Sequence, residues 1–435
     1  MQNPIWLEDC KIPRFPRLEE DVKTDVLIIG GGMCGVLTAY FLKWAGVNYC
    51  LVEADRIGSG VSGRTTAKIS ALQGTIYQEL TKKSGRESAQ LYYQACIHAL
   101  ERYRCMSKTI DCDFNLLPAY TYTQKDRKKI EDEIRAIRCI GGTGEFVEQL
   151  SMPFGPVEAV KMPHQAQFHP IKFMAEIAKD LNIYENTRIQ SVSHHTAKSA
   201  HGSLTAKKII FATHFPFVDR TGGYPVKLYQ ERSYVLGFRN AMEVGGIYLD
   251  EACNGLSLRN EGDILLVGGN AHRTGKMTTG WEPLREFKKK YCPGASEVYR
   301  WATQDCMTLD GLPYIGRYSW RTPNWLVATG FGKWGMTASM IAALLLRDMV
   351  LERKNEFEAL FSPQRNMMHK QLFVNGVEAI LNFVAPTPKR CPHLGCSLKW
   401  NAAEHTWDCP CHGSRFSETG RVLDNPANGN LRHST

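Results

Sequence analysis

Apolar residues recur along this chain with two different periods, and each change of period marks the end of an element. Val26 to Ile29 form an unbroken apolar run, the pattern of a strand buried on both faces of a parallel sheet. The period then becomes helical: Val36, Leu37, Tyr40, Phe41 and Trp44 share one face, and Gly46 supplies the stop. Tyr49 to Val52 read as a second strand, ending at Glu53. From Tyr77 to Gly142 the chain reads as helical, with Ile130, Ile134 and Ile137 at helical spacing and Gly141 as a stop. Phe168-His169-Pro170 opens another helix, with Pro170 in its first turn. Lys207 to Thr213 predict a buried strand returning to the first sheet. Between Tyr224 and Gly275 the pattern shortens to alternating strands with turns, the signature of a second, mainly antiparallel layer. Residues 310–316 turn the chain back, Trp325 to Thr329 form a strand, and Met336 to Leu346 an apolar helix. A further helix is expected over 366–383, and residues 1–23, with Pro4, Pro13 and Pro16, read as an extended lead-in.

With 435 residues the chain is long enough for two or three domains. Hydrophobic residues at 43% and charged residues at 22% describe an ordinary globular protein. The formal charge of +9 is scattered; a nucleic-acid partner would call for a concentrated basic stripe, and none is present. No apolar run reaches the roughly 18 residues of a membrane helix. The first residues lack a charged, then apolar leader, so a cytoplasmic protein is expected. Of the 14 cysteines, ten (Cys10, Cys34, Cys50, Cys96, Cys105, Cys112, Cys139, Cys253, Cys292 and Cys306) have no pairing rhythm and read as buried thiols. Cys391, Cys396, Cys409 and Cys411 crowd together beside histidines, and read as a site.

Gly30, Gly32 and Gly35 carry the G-x-G-x-x-G spacing between the first strand and helix: one glycine for the turn, one for close approach to a pyrophosphate, one for helix packing. Glu53 follows where an acid would bond a ribose hydroxyl. The loop 56–70 adds Ser62, Arg64, Thr65 and Thr66, suited to phosphates and a polar ring edge. The glycines of residues 330–337 place helix amides against an anion or carbonyl. Near the C-terminus, Cys391-Pro-His393 and Cys409-Pro-Cys411-His412 bring two thiolates and two imidazoles together, a set that suits a 2Fe–2S centre or zinc.

The fingerprint, the strand ending Ala212-Thr213, D-G-L-P-Y-I-G and G-F-G-K-W-G-M-T together resemble the D-amino-acid oxidase-like FAD-dependent oxidoreductases, over roughly residues 24–350. A nicotinamide-binding Rossmann domain is the rival, and the two late segments argue against it. The resemblance implies an α/β fold, α+β overall: a Rossmann-like FAD domain from 1–75, 165–215 and 300–352, and an inserted antiparallel-sheet substrate domain from 76–164 and 216–299. It implies non-covalent FAD held by Gly30, Gly32, Met33, Cys34 and Gly35, by Glu53 and Ala54, and by Ser62, Arg64, Thr65 and Thr66. Ala212 and Thr213, with Gly330, Gly332, Lys333, Trp334, Gly335, Met336 and Thr337, complete that set. The C-terminal motifs resemble a Rieske 2Fe–2S site with Cys391, His393, Cys409 and His412 as ligands. The same resemblance implies a Cys396–Cys411 disulfide, and a small all-β region over 385–435 after a helical linker, 353–384. The strands that usually precede the first ligand loop are shortened or missing.

The function implied is oxidation of a small amine or amino-acid-like C–N substrate by hydride transfer to flavin. Electrons would then pass through the cluster to a one-electron carrier protein or quinone. A cluster-fed reductase and a redox-sensing protein with structural FAD are the alternatives. Tyr234, Arg259 and His272 are pocket candidates. Asp305 stands about where amino-acid-oxidising relatives carry a carboxylate-binding Arg, which favours an amine without an α-carboxylate.

Overall fold

The computed structural model describes residues 4–8, 10–218, 221–252, 255–366, 369–387 and 389–431. Cys253 lies outside them. The first sheet is built on the strand Val22–Ile29, flanked in parallel by Tyr49–Val52 and Ser203–Phe211, with Ile28 paired to Leu51 on one side and Ile210 on the other. The run is buried on both faces because helices cover one and a second core covers the other, where Leu27 and Ile29 pack with Ile189, Phe215 and Tyr318. Met33–Trp44 and Gly335–Val350 contribute Val36, Leu37, Met340 and Ala343 to one hydrophobic core. Thr322–Thr329 joins as a parallel strand beyond Ser203–Phe211, as the return strand requires.

The second sheet has nine strands and is mostly antiparallel. Its long members are Leu228–Arg239, Ile264–Arg273 and Ser296–Thr308. Two sequence expectations are corrected here. The stretch 77–142 is not helical throughout: after the helix Ile76–Met106 comes the strand Asn115–Thr123, then the helix Arg127–Cys139. L-L-P-A-Y-T-Y-T alternates, and its aromatic and β-branched residues fit a pleated surface better than a helix. The boundary at 299/300 also falls inside the strand Ser296–Thr308, which pairs with Leu228–Arg239 and so belongs to the second sheet.

The third sheet is a four-stranded antiparallel unit, Lys399–Asn401, Thr406–Asp408, Arg415–Ser417 and Val422–Asp424. Among the described residues no strand stands between Phe361 and Arg390, where the helix Lys370–Val384 lies instead.

Candidate functional site

The first sheet and the helix after its first strand open onto a cavity of about 710 Å³. Gly30, at φ 114°, sits where a Cβ would run into the Ala212 carbonyl oxygen, and a Cβ at Gly35 would strike the carbonyl of Gly30. Only glycine lets these backbones come so close. Gly32 caps the helix without a side chain, leaving the helix N-terminus open to an anion, and Ser62 Oγ accepts the Met33 N–H at 2.8 Å. Glu53 lines the cavity, accepting the Gly31 and Asp55 amides at 2.6 and 2.9 Å; burial raises its pKa. Met33, Cys34, Ala54, Thr65, Thr66, Ala212 and Thr213 also form the wall. At the other end Gly330, Gly332, Lys333, Trp334, Gly335 and Met336 close it around the start of the helix Gly335–Val350. The shape and donor set fit an extended dinucleotide.

Two expected members are elsewhere. The Arg64 guanidinium folds back onto the Ser59 and Gly60 carbonyls, and the Thr337 hydroxyl is spent on the Ser70 backbone. Neither lines the cavity.

The end of the cavity near Lys333 is set by strand alternation. In Leu228–Arg239, Glu231 and Ser233 face the cavity with Asp305 and Lys333: Lys333 Nζ lies 3.0 Å from both Glu231 and Asp305, and Ser233 Oγ donates to Asp305 at 3.1 Å. Successive side chains point to opposite faces, so the Tyr234 ring lies on the reverse side, 4.7 Å from Trp281 and 5.7 Å from His272. His272 is half-buried there, its enclosed Nε2 unpartnered among the described residues, and desolvation lowers its pKa. Arg259 is fully buried with its donors spent on the Thr66 and Asn260 carbonyls and on Glu261. Of the four pocket candidates, Tyr234 and Asp305 line the cavity, Tyr234 with its ring turned toward Trp281 and His272 and Asp305 paired with Lys333. The sequence reading missed Lys68, a half-buried residue on this wall whose amine pKa desolvation pushes down to about 7. The alternation of K-I-S after the loop was the available signal.

At the C-terminus two loops repeat one turn. Cys391 N–H donates to the Cys396 carbonyl and Gly395 N–H to that of Cys391; Cys409 with Ser414 and Gly413 does the same, all four bonds at 2.9 Å. Gly395 and Gly413 adopt φ 78° and 80°, which the turn requires. A Cys396–Cys411 disulfide joins the loops, with Cα atoms 6.7 Å apart. Between the loops the His393 and His412 rings stand 4.8 Å apart and nearly perpendicular. The Cys391 thiol is held down by hydrogen bonding with Cys409. His412 Nδ1 is buried without a partner among the described residues, and burial drops the His412 pKa to about 3, leaving the neutral ring that a ligand needs. Two sulfurs and two imidazoles around one space fit a cluster with one iron on each pair.

These loops rest on the reverse face of the strands that wall the cavity. Gln230 donates to the His412 carbonyl at 2.7 Å, and Gln304 to the Gly413 carbonyl at 2.8 Å. Arg273 donates to the Pro410 and Cys411 carbonyls, and Arg232 makes a two-point pair with Glu404 at 2.8 and 2.6 Å. A Cβ at Gly413 would overlap Gln230, and one at Gly275 would overlap Pro410, so the fit is close. His214, half-buried on the cavity wall, bonds Gln230 Oε1 through Nε2 at 3.0 Å. A chain of two hydrogen bonds therefore runs from the cavity wall through Gln230 to the backbone of a cluster ligand.

The fold and sites define an oxidoreductase with a dinucleotide cavity and an iron–sulfur centre set back to back. The chain belongs to the DAO family of FAD-dependent oxidoreductases, whose model matches residues 25–349, and carries a Rieske [2Fe-2S] domain, matched over residues 356–434. FAD and a 2Fe–2S cluster are the cofactors that these two families imply. The putative Rieske 2Fe-2S iron-sulfur protein YhfW of Bacillus subtilis (strain 168) is 34% identical, covering 97% of this chain and 95% of its own. That alignment spans 489 positions, more than the 435 residues here, so the relative has segments with no counterpart in this chain. Gamma-glutamylputrescine oxidoreductase of Escherichia coli (strain K12) is 24% identical, over 80% of this chain and 88% of its own. Glycine oxidase from Geobacillus kaustophilus shares the fold with a TM-score of 0.64 at 20% identity, covering 79% of this chain and 99% of its own. No helix among the described residues is long and apolar enough to cross a membrane.

Proposed function

We propose that this protein oxidises a small amine or amino-acid-like substrate at a C–N bond and that its electrons leave through the Rieske centre to a one-electron carrier or quinone. The observation that carries this reading is the shared sheet. Glu231, Ser233 and Asp305 face the cavity, while Gln230, Arg232 and Gln304 of the same two strands hold the cluster loops. FAD, when bound, takes an electron pair and the cluster relays electrons singly. Held by Cys391, His393, Cys409 and His412, a Rieske cluster would supply one-electron acceptance at roughly −150 to +300 mV.

The chain's own groups prepare the substrate. Lys68, with a pKa of about 7, is the candidate base for an ammonium proton, so that the amine enters oxidation neutral. With Lys68 in its neutral form, Glu231, Asp305 and Lys333 together carry one net negative charge where a cationic substrate would be held. Arginines of the cavity wall, Arg56 and Arg188, lie by Asp55 and Glu185, away from these residues. An amine without an α-carboxylate is therefore the favoured class. Names of relatives agree with C–N chemistry: one is an oxidoreductase of gamma-glutamylputrescine, another an oxidase of glycine.

The test is anaerobic mixing of the purified protein with a panel of amines and amino acids. The expected result is bleaching of flavin absorbance by an amine, followed by the cluster's paramagnetic signal. Bleaching by glycine or D-amino acids and by no simple amine would overturn the substrate class. Bleaching with a cluster that stays oxidised would overturn the electron route.

A further inference from the structure

The helix Lys370–Val384 is built inside out. Phe373, Val374, Val377, Ile380, Leu381 and Val384 recur at helical period and point to solvent; Phe373, Ile380 and Val384 are 65%, 66% and 68% exposed. Its buried positions are polar instead. Asn375 donates to the Val226 carbonyl and accepts from Arg273, and the Asn382 carbonyl accepts the Ser397 N–H. The protein thus seats this helix by hydrogen bonds and leaves its apolar stripe outward. Single exposed apolar residues are ordinary, but a continuous stripe on a helix about 22 Å long marks an interaction surface.

The stripe runs up to the cluster. The Phe383 ring lies 3.5 Å from where a Cβ on Gly395 would stand, and the exposed Leu394 sits next to the ligand His393. Arg390 bonds the Phe383 and Gly395 carbonyls, tying helix end to ligand loop. The stripe therefore ends against the loop that carries His393.

The charges around it are cationic. Lys370 opens the helix; Lys389, Arg390 and Lys399 gather at its far end, and all but the half-buried Lys389 are exposed. The helix's one carboxylate, Glu378, is already paired with Lys276 at 2.7 Å. A second copy docked antiparallel would set Lys370 of one chain against Lys389 and Arg390 of the other with no acid to balance them. An anionic lipid surface satisfies both the apolar stripe and its basic ends.

We propose that this helix, with Leu394, docks the protein onto an anionic membrane surface, lying in the interface rather than spanning it. The docking stands on its own observations. That the acceptor is a lipid-dissolved quinone rests additionally on the electron route above.

The test is flotation of the holoprotein with vesicles of phosphatidylcholine alone or mixed with phosphatidylglycerol, beside its mass by light scattering. Partition into the mixed vesicles is expected, weakened by salt, and weaker on pure phosphatidylcholine. Ile380→Glu and Val377→Glu should each lower it by about tenfold to a hundredfold. Flavin absorbance, the cluster's paramagnetic signal and anaerobic bleaching by substrate should be unchanged, which separates lost docking from lost folding or chemistry. Absence of partition into either vesicle overturns the proposal. So does a dimer that Ile380→Glu splits into monomers without any change in lipid binding, since a second copy would then cover the stripe.

Discussion

Lys68 is the side chain on which the chemistry can be tested most directly. Burial disfavours its charged form and pushes its pKa to about 7, so the neutral amine grows in as pH rises through that value. Flavin reduction by substrate should accelerate across pH 7, and Lys68→Met should slow it by about 10²–10⁴ and flatten the profile, read by stopped-flow absorbance. A second prediction concerns how FAD is held. Cys34 is the one cysteine, and His214 the one histidine, among the described residues of the cavity wall. Burial drives the Cys34 thiol up to about 12, and His214 Nε2 is engaged by Gln230, so neither is a ready nucleophile. Acid precipitation should release the flavin into the supernatant; colour retained on the pellet would contradict this.

At the scale of elements, the strands Leu228–Arg239 and Ser296–Thr308 do two jobs because a strand has two faces. Polar residues on both faces, Gln230 to Ser233 in succession, mark a strand enclosed between two polar partners rather than one half-buried in a core. Gly413→Ala tests the second face. The new Cβ would overlap Gln230, and Gly413 holds φ 80°, so the cluster loop must shift at a cost of about 1–3 kcal/mol. Substrate should bleach the flavin at the normal rate while reduction of the cluster slows, both followed in one rapid-mixing experiment. Equal rates for the variant and the parent would show that the contact carries no coupling.

At the scale of the molecule, the Rieske unit is held by buried charge. Glu404 sits between Arg232 and Arg415, with side chains 0%, 4% and 3% exposed. The two guanidiniums outweigh the effect of burial and hold its carboxyl down at about 2, against an ordinary 4.5. A depressed carboxylate contributes stability that is complete above about pH 4.5 and is lost as pH falls toward 2. Glu404→Gln leaves the buried Arg232 without a carboxylate, while Arg415 keeps Asp408 and Asp424, and should cost about 3–5 kcal/mol, seen as a lower melting temperature and early proteolytic release of the C-terminal unit. The denaturation midpoint of the parent should fall as pH drops from about 4.5 toward 2, and that of Glu404→Gln should fall less.

What this sequence determined by itself was local: Gly30, Gly32 and Gly35 between strand and helix, and the two Cys–His loops, whose turns close within a few residues and carry their own glycines. Such features are legible because the residues that make them are neighbours in the chain. The long helical reading of 77–142 failed at Asn115–Thr123, where alternation was present but outweighed by the helices around it. Only the tertiary structure decided which side chains face the cavity. Tyr234 and His272 turn away, Arg259 is spent on backbone carbonyls, and Lys68 arrives on the wall, because a strand's pairing register sets which face each residue takes. It also decided that the cluster lies behind the flavin cavity, a contact between Gln230 and His412 made across 182 positions. No local pattern records such a contact, because its energy exists only once both sheets have formed.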